Sequence, residues 1–238
     1  MSFKVLMLYA NLMNETMVPP ALALFSALLK REGCEVGLFD TTDYQMDTGF
    51  VNSDRDKMKN LNVRPFEART DLKTADPYAD FRDQIESFGP DLILASVTEN
   101  MFPLAINLLK SVDDLGVPVV MGGVLPTFAP DLVMRWREVD MLCVGEGEQV
   151  IVDLCRKMRR GEDFSKIPGL WAREKDGNIR KNPLGRLVAM DKNPLPDFTI
   201  FDDSRFYRPM SGKIRRIFPV ETHRGCPYTC AFCNSPSQ

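Results

Sequence analysis

The chain has 238 residues, 44% of them hydrophobic and 26% charged, with a formal net charge of -3. That mix suits a folded chain with one sizeable core and something smaller beside it, and it excludes intrinsic disorder. Mild acidity argues against a nucleic-acid binder, and no apolar run reaches the roughly 18–20 residues of a membrane span; with no signal-peptide core either, a cytoplasmic protein is expected.

Residues 1–160 alternate strand-like and helix-like segments, the pattern of an α/β doubly wound parallel sheet of flavodoxin-like type. Phe3 to Tyr9 is a continuous apolar run, as a strand buried on both faces requires. Pro19-Pro20 opens a helix to Lys30 that Gly33 ends, and Glu35 to Phe39 reads as a second strand. Residues 41–77 are polar and turn-rich, a solvated insertion with one short helix or, less simply, a lid. A helix from Tyr78 to Phe88 leads to strand Asp91 to Val97. The pattern then predicts a helix over Pro103 to Leu115, strand Val117 to Met121, helix Pro130 to Arg137, strand Asp140 to Val144 and helix Glu148 to Arg160.

Ligands of such sheets bind beyond the carboxyl ends of the strands. The loops there carry Asn11, then Ser96 and Thr98, then Gly122, Gly123 and Thr127, then Gly145 and Gly147. Glycines admit a ligand close to the backbone and hydroxyls bond polar groups, although each glycine alone also suits an ordinary strand-to-helix turn. Neither GxGxxG nor a Walker motif is present, so neither dinucleotide nor NTP chemistry is signalled.

Residues 161–217 read as a linker with a hairpin over Leu170 to Arg180, turning at Asp176-Gly177-Asn178, and a stiff Asn193-Pro194-Leu195-Pro196-Asp197 stretch. From Arg205 to Arg224 six cations face only Glu221, as on a solvated or interdomain surface.

Cys34, Cys143 and Cys155 sit singly in apolar segments and read as small buried hydrophobes. Cys226, Cys230 and Cys233 instead crowd one loop, and three such thiols can converge on one metal centre. Zinc would take His223 as its fourth ligand, whereas an iron–sulfur cluster would take the three thiolates and leave one iron open.

The Cys-x3-Cys-x2-Cys spacing, with Phe232 before the last cysteine, resembles the signature of the radical S-adenosylmethionine (radical SAM) enzymes. The resemblance implies a [4Fe-4S] cluster on Cys226, Cys230 and Cys233, S-adenosylmethionine on its open iron, Phe232 near the adenine, and a 5′-deoxyadenosyl radical as the reactive species. It also implies an electron donor such as flavodoxin or ferredoxin. A flavodoxin-like domain with Ser-x-Thr, Gly-Gly-x-x-Pro-Thr and Gly-Glu-Gly-Glu at its strand ends, ahead of that loop, resembles the cobalamin-binding radical SAM proteins. By that likeness Asn11, Ser96, Thr98, Gly122, Gly123, Thr127, Gly145 and Gly147 would contact cobalamin (vitamin B12).

The one histidine, His223, lies outside any Asp-x-His-x-x-Gly motif. The absence of that lower cobalt ligand fits the radical methyltransferase branch of the family and argues against a mutase or a methionine-synthase-like module. Phe218 to Thr222 would begin a radical SAM domain over 218–238. Five residues follow Cys233, so the expectation is the N-terminal part of a longer enzyme for methyl transfer or ring formation, inactive alone, on a substrate the sequence does not name. The alternative is a non-catalytic corrinoid or small-ligand module with a zinc-stapled tail.

Overall fold

The computed structural model describes residues 2–12, 17–46, 72–211 and 213–233. Nine strands and six α-helices are defined there: β1 (Lys4–Tyr9), α1 (Pro20–Arg31), β2 (Glu35–Asp40), α2 (Pro77–Phe88), β3 (Leu92–Ser96), α3 (Phe102–Lys110), β4 (Val119–Gly122), α4 (Val124–Phe128), α5 (Pro130–Val133), β5 (Met141–Cys143), α6 (Glu148–Arg160), β6 (Leu170–Arg173), β7 (Ile179–Lys181), β8 (Tyr207–Met210) and β9 (Lys213–Arg216). The first seven strands form one sheet in the order β2-β1-β3-β4-β5-β6-β7, and β8 pairs with β9 separately. The β1 to β5 ladders are parallel, in the 2-1-3-4-5 order of flavodoxin-like folds, while β6 and β7 add antiparallel.

Two apolar layers sandwich the sheet, and the period of two along each strand divides residues between them. Leu6 and Leu8 face the side that holds Phe81 and Ile85 of α2 and Leu104 and Leu108 of α3. Val5 and Met7 face the other side, against Leu22 and Leu29 of α1 and Ile151 and Leu154 of α6. Burial on both faces is why β1 and β3 read as unbroken apolar runs.

The expected α/β sheet is present, with differences at the edges. The helix expected over Pro103–Leu115 ends at Lys110 and is followed by a separate 3-10 turn, Asp113–Leu115. The helix expected over Pro130 to Arg137 ends after a single turn at Val133. Pro130 disfavours helical backbone at Ala129, whose φ of -134° and ψ of 51° separate this α5 from α4. The hairpin at Leu170 forms and continues the main sheet through β5. Phe218–Thr222 is not a strand: Ile217 N donates to Phe206 O, and beyond it no neighbouring strand lies alongside among the described residues. Of the 41–77 insertion, 47–71 falls outside the described residues, and its visible ends meet in a bridge between Tyr44 and Lys73. No described helix is long and apolar enough to cross a membrane.

The segments after β7 are tied to β2 and α1 by polar contacts. Arg205, almost fully buried, pairs with Asp40 at the end of β2 at 2.9 Å. Asp197 accepts from Ser26 Oγ at 2.7 Å and Lys30 Nζ at 2.6 Å, both on α1. Phe218 stacks on buried Phe206 with ring centroids 4.5 Å apart, so the chain reaches the cysteine loop from a fixed point.

Candidate functional site: a cavity between the glycine loops and the cysteine loop

A cavity of about 850 Å³ opens at the carboxyl ends of β3, β4 and β5, within the range of small-molecule and cofactor sites. Its walls come from four places: the strand ends and their loops, the starts of α1 and α6, the extended segment 184–190, and residues 221–225 just before the first cysteine. The last two had no signal in the sequence, since neither an irregular strap nor a loop root has a periodicity.

Glycine shapes the cavity by removing side chains. Gly123 has φ +108°, and a Cβ there would lie 2.5 Å from Val97 O, so only glycine lets β4 turn beside β3. Gly147 has ordinary backbone, but a Cβ would lie 2.6 Å from the Phe25 ring. Gly145 takes φ +86°. Thr127 joins the two glycine loops: its hydroxyl donates to Gly123 O at 2.9 Å and accepts from Gly145 N at 3.2 Å.

Of the residues singled out in the sequence, Ser96, Gly122, Gly123, Thr127, Gly145 and Gly147 line this cavity; Asn11 and Thr98 do not. Asn11 is fully buried and structural: its backbone N donates to Thr41 Oγ1 and its Nδ2 to Thr42 Oγ1, both at 2.9 Å. His223 does line the cavity, with Nδ1 3.0 Å from Thr222 Oγ1.

Arg224 joins the cavity wall to the cysteine loop. Its Nη1 lies 3.2 Å from Glu146 Oε1 and its Nη2 2.9 Å from Glu221 Oε2. Nη2 also lies 2.5 Å from Glu148 Oε1, an ion pair without the alignment of a hydrogen bond. Bonding to Glu221, then the ion pair with Glu148 and the bond to Glu146, outweigh the cost of burial and hold the Arg224 pKa well above its ordinary value. Glu148 is nearly buried in the first turn of α6, where the helix dipole favours a negative charge. Glu146 Oε2 accepts from Val188 N, which fastens the 184–190 strap to the same loop.

Cys226, Cys230 and Cys233 form no disulfide and are exposed on a loop opened by Gly225 at φ +82°, with Cys233 N donating to Cys230 O. Among the described residues no three His, Cys, Asp or Glu side chains stand close enough to hold a metal ion, so the thiols converge only if this loop closes further. Three thiols on one short loop are the right donor type for a thiolate-ligated centre. Phe232, 92% exposed, touches neither the cavity nor the core. Cys34, Cys143 and Cys155 are buried, as expected.

Residues 57–155 match the model of the B12-binding domain. Over 165 residues the chain is 30% identical to an uncharacterized methyltransferase of Pyrococcus horikoshii, covering 68% of this chain and 35% of that protein. Over 161 residues it is 26% identical to the anaerobic magnesium-protoporphyrin IX monomethyl ester cyclase of Rubrivivax gelatinosus, covering 64% of this chain and 28% of the cyclase. The chain therefore spans about a third of these relatives' length. Its fold matches that of OxsB, a cobalamin-dependent S-adenosylmethionine radical enzyme solved with aqua-cobalamin and S-adenosylmethionine, at a TM-score of 0.58 and 19% identity over 84% of this chain and 24% of that one. The cavity residues from Ser96 to Gly147 fall within the match to the B12-binding domain, and the chain is homologous to cobalamin-dependent radical SAM enzymes over the region that carries that match.

Proposed function

We propose that this chain is the cobalamin-binding part of a radical SAM enzyme and that the cavity at the ends of β3, β4 and β5 receives the corrin. One observation carries this reading: a cavity cleared by Gly123, Gly145 and Gly147 is also lined by Glu221, His223, Arg224 and Gly225, immediately before Cys226. A ligand seated there lies against the root of the cysteine loop.

In this reading Ser96, Gly122, Gly123, Thr127, Gly145 and Gly147 hold the corrin, and Cys226, Cys230 and Cys233 hold a [4Fe-4S] cluster that binds S-adenosylmethionine with Phe232 near the adenine. Asn11, bonded to Thr41 and Thr42, and Thr98 lie outside the cavity lining. When bound, these groups supply one-electron chemistry at an unactivated carbon and a methyl carrier, so methyl transfer or ring formation is the reaction class, with a flavodoxin or ferredoxin as electron source. The protein's own share is position and exclusion of water: Thr127 fixes the spacing of the glycine loops, and the strap held by Glu146 forms one wall of the cavity.

The test is anaerobic reconstitution with iron and sulfide, followed by metal analysis. The expected result is about four irons per chain, lost in a variant with all three loop cysteines changed to alanine. Stoichiometric zinc without iron would overturn the reading in favour of a zinc-stapled binding module.

A further inference from the structure

Arg224 is placed where two functions would meet. It is two positions before Cys226, and its guanidinium reaches Glu146 and Glu148, 78 and 76 positions earlier, at the mouth of α6. Three carboxylates surround this one cation, and the pairs are not exposed decoration: the Glu148 side chain is 7% exposed and that of Arg224 24%. Without the cation, three like charges would face one another across the gap, and the gap would open.

All four residues also line the cavity. A ligand entering it must therefore alter or preserve the same contacts that fix the start of the cysteine loop. Glu146 adds a second branch, because its other oxygen holds Val188 of the strap.

We infer that Arg224 is a positioning residue that couples occupancy of the cavity to the placement of the cysteine loop, through Glu146 and Glu148. The inference rests on the corrin reading above. Lysine at this position would keep the charge but lose the planar fork that engages several carboxylates at once, so it restores the coupling only in part.

The test is amide hydrogen exchange by mass spectrometry on the anaerobic, iron-reconstituted chain, with and without hydroxocobalamin. In the wild type, hydroxocobalamin should slow exchange about tenfold in both the 145–150 and 221–233 segments. In Arg224→Gln the first segment should still respond and the second should not; Arg224→Lys should fall between. Glu146→Gln, which retains an acceptor for Val188 N, serves as a gentler second variant and should weaken the 221–233 response in the same direction. If both segments of Arg224→Gln and Glu146→Gln respond as in the wild type, the coupling assigned to Arg224 is wrong while the cavity reading stands. If the wild type neither retains the corrin nor responds in either segment, the cavity reading itself falls and the inference with it.

Discussion

A Cβ on Gly123 would lie 2.5 Å from the carbonyl oxygen of Val97, closer than any side-chain carbon tolerates. The contact joins the end of β4 to the end of β3, and φ of +108° at Gly123 adds a second requirement for glycine. Gly123→Ala should therefore cost about 2 kcal/mol or more of stability, read as a lower denaturant midpoint with an unchanged slope.

Gly147→Ala should behave differently. Gly147 has φ of -92°, which alanine adopts freely, and the obstacle is the Phe25 ring rather than backbone. Phe25 can turn aside, but it lines the cavity and would turn at the cavity's expense. The expected outcome is a destabilisation of about 1–2 kcal/mol, within the range for overpacking, with a larger proportional loss in retained corrin. Circular-dichroism melting and corrin retention, measured on the same preparation, separate the two effects.

The Asp197 carboxyl anchors the proline-rich linker to α1. Burial works against its charge, but bonds from Lys30, Thr199 and Ser26 prevail and hold its pKa well below the ordinary carboxylate range. A carboxyl with a depressed folded-state pKa contributes stability above its unfolded value and loses that contribution as pH falls toward the folded one. Asp197→Asn should be about 1–2 kcal/mol less stable than wild type at pH 7. The gap should narrow steadily below about pH 4, the unfolded carboxylate pKa. Urea titrations at pH 7, 5 and 3 check this, and a gap that widens on acidification would contradict it.

The buried thiols differ in their surroundings. A hydrogen bond with Cys155 lowers the pKa of Cys34 despite burial, whereas burial, reinforced by Glu148, pushes Cys143 up to about 12. Iodoacetamide should modify the exposed loop cysteines first, Cys34 next, and Cys143 only on unfolding. Cys155→Ala should move the labelling of Cys34 to higher pH, because the thiolate loses its donor. Mass mapping of labelled peptides across pH 6–9 reads both.

What was legible in the sequence was whatever rests on local rules. The run from Phe3 to Tyr9 announced a strand covered on both faces, found over Lys4–Tyr9, and α6 begins and ends at the residues expected, Glu148 and Arg160, because Gly147 and Gly161 bracket it. The turn after β4 was harder. Gly-Gly-Val-Leu-Pro-Thr reads as a loop, yet Pro126 sits in the first turn of a short helix, where its missing N–H costs nothing. The short β8–β9 hairpin was hidden in a cation-rich stretch that reads as solvated surface, and Ser211 turns it with φ of +52°.

The site was half legible for a similar reason. Glycines at strand ends mark a cavity wherever the fold is recognised, and six of the eight residues chosen on that ground line it. Asn11 lies outside it, because a buried amide bonded to Thr41 and Thr42 has the same sequence appearance as one aimed at a ligand. The contacts of Arg224 with Glu146 and Glu148 span nearly eighty positions, and no local pattern reports a pairing of that range.

The central claim is that the cavity receives a corrin, and the most direct measurement is retention. The anaerobically purified chain is incubated with hydroxocobalamin, desalted and examined by visible spectroscopy beside Gly147→Ala. The account predicts a corrin spectrum carried through desalting by the wild type, near one per chain, and strongly reduced in the variant. A wild-type chain that emerges folded and free of corrin, with or without its iron, would contradict it.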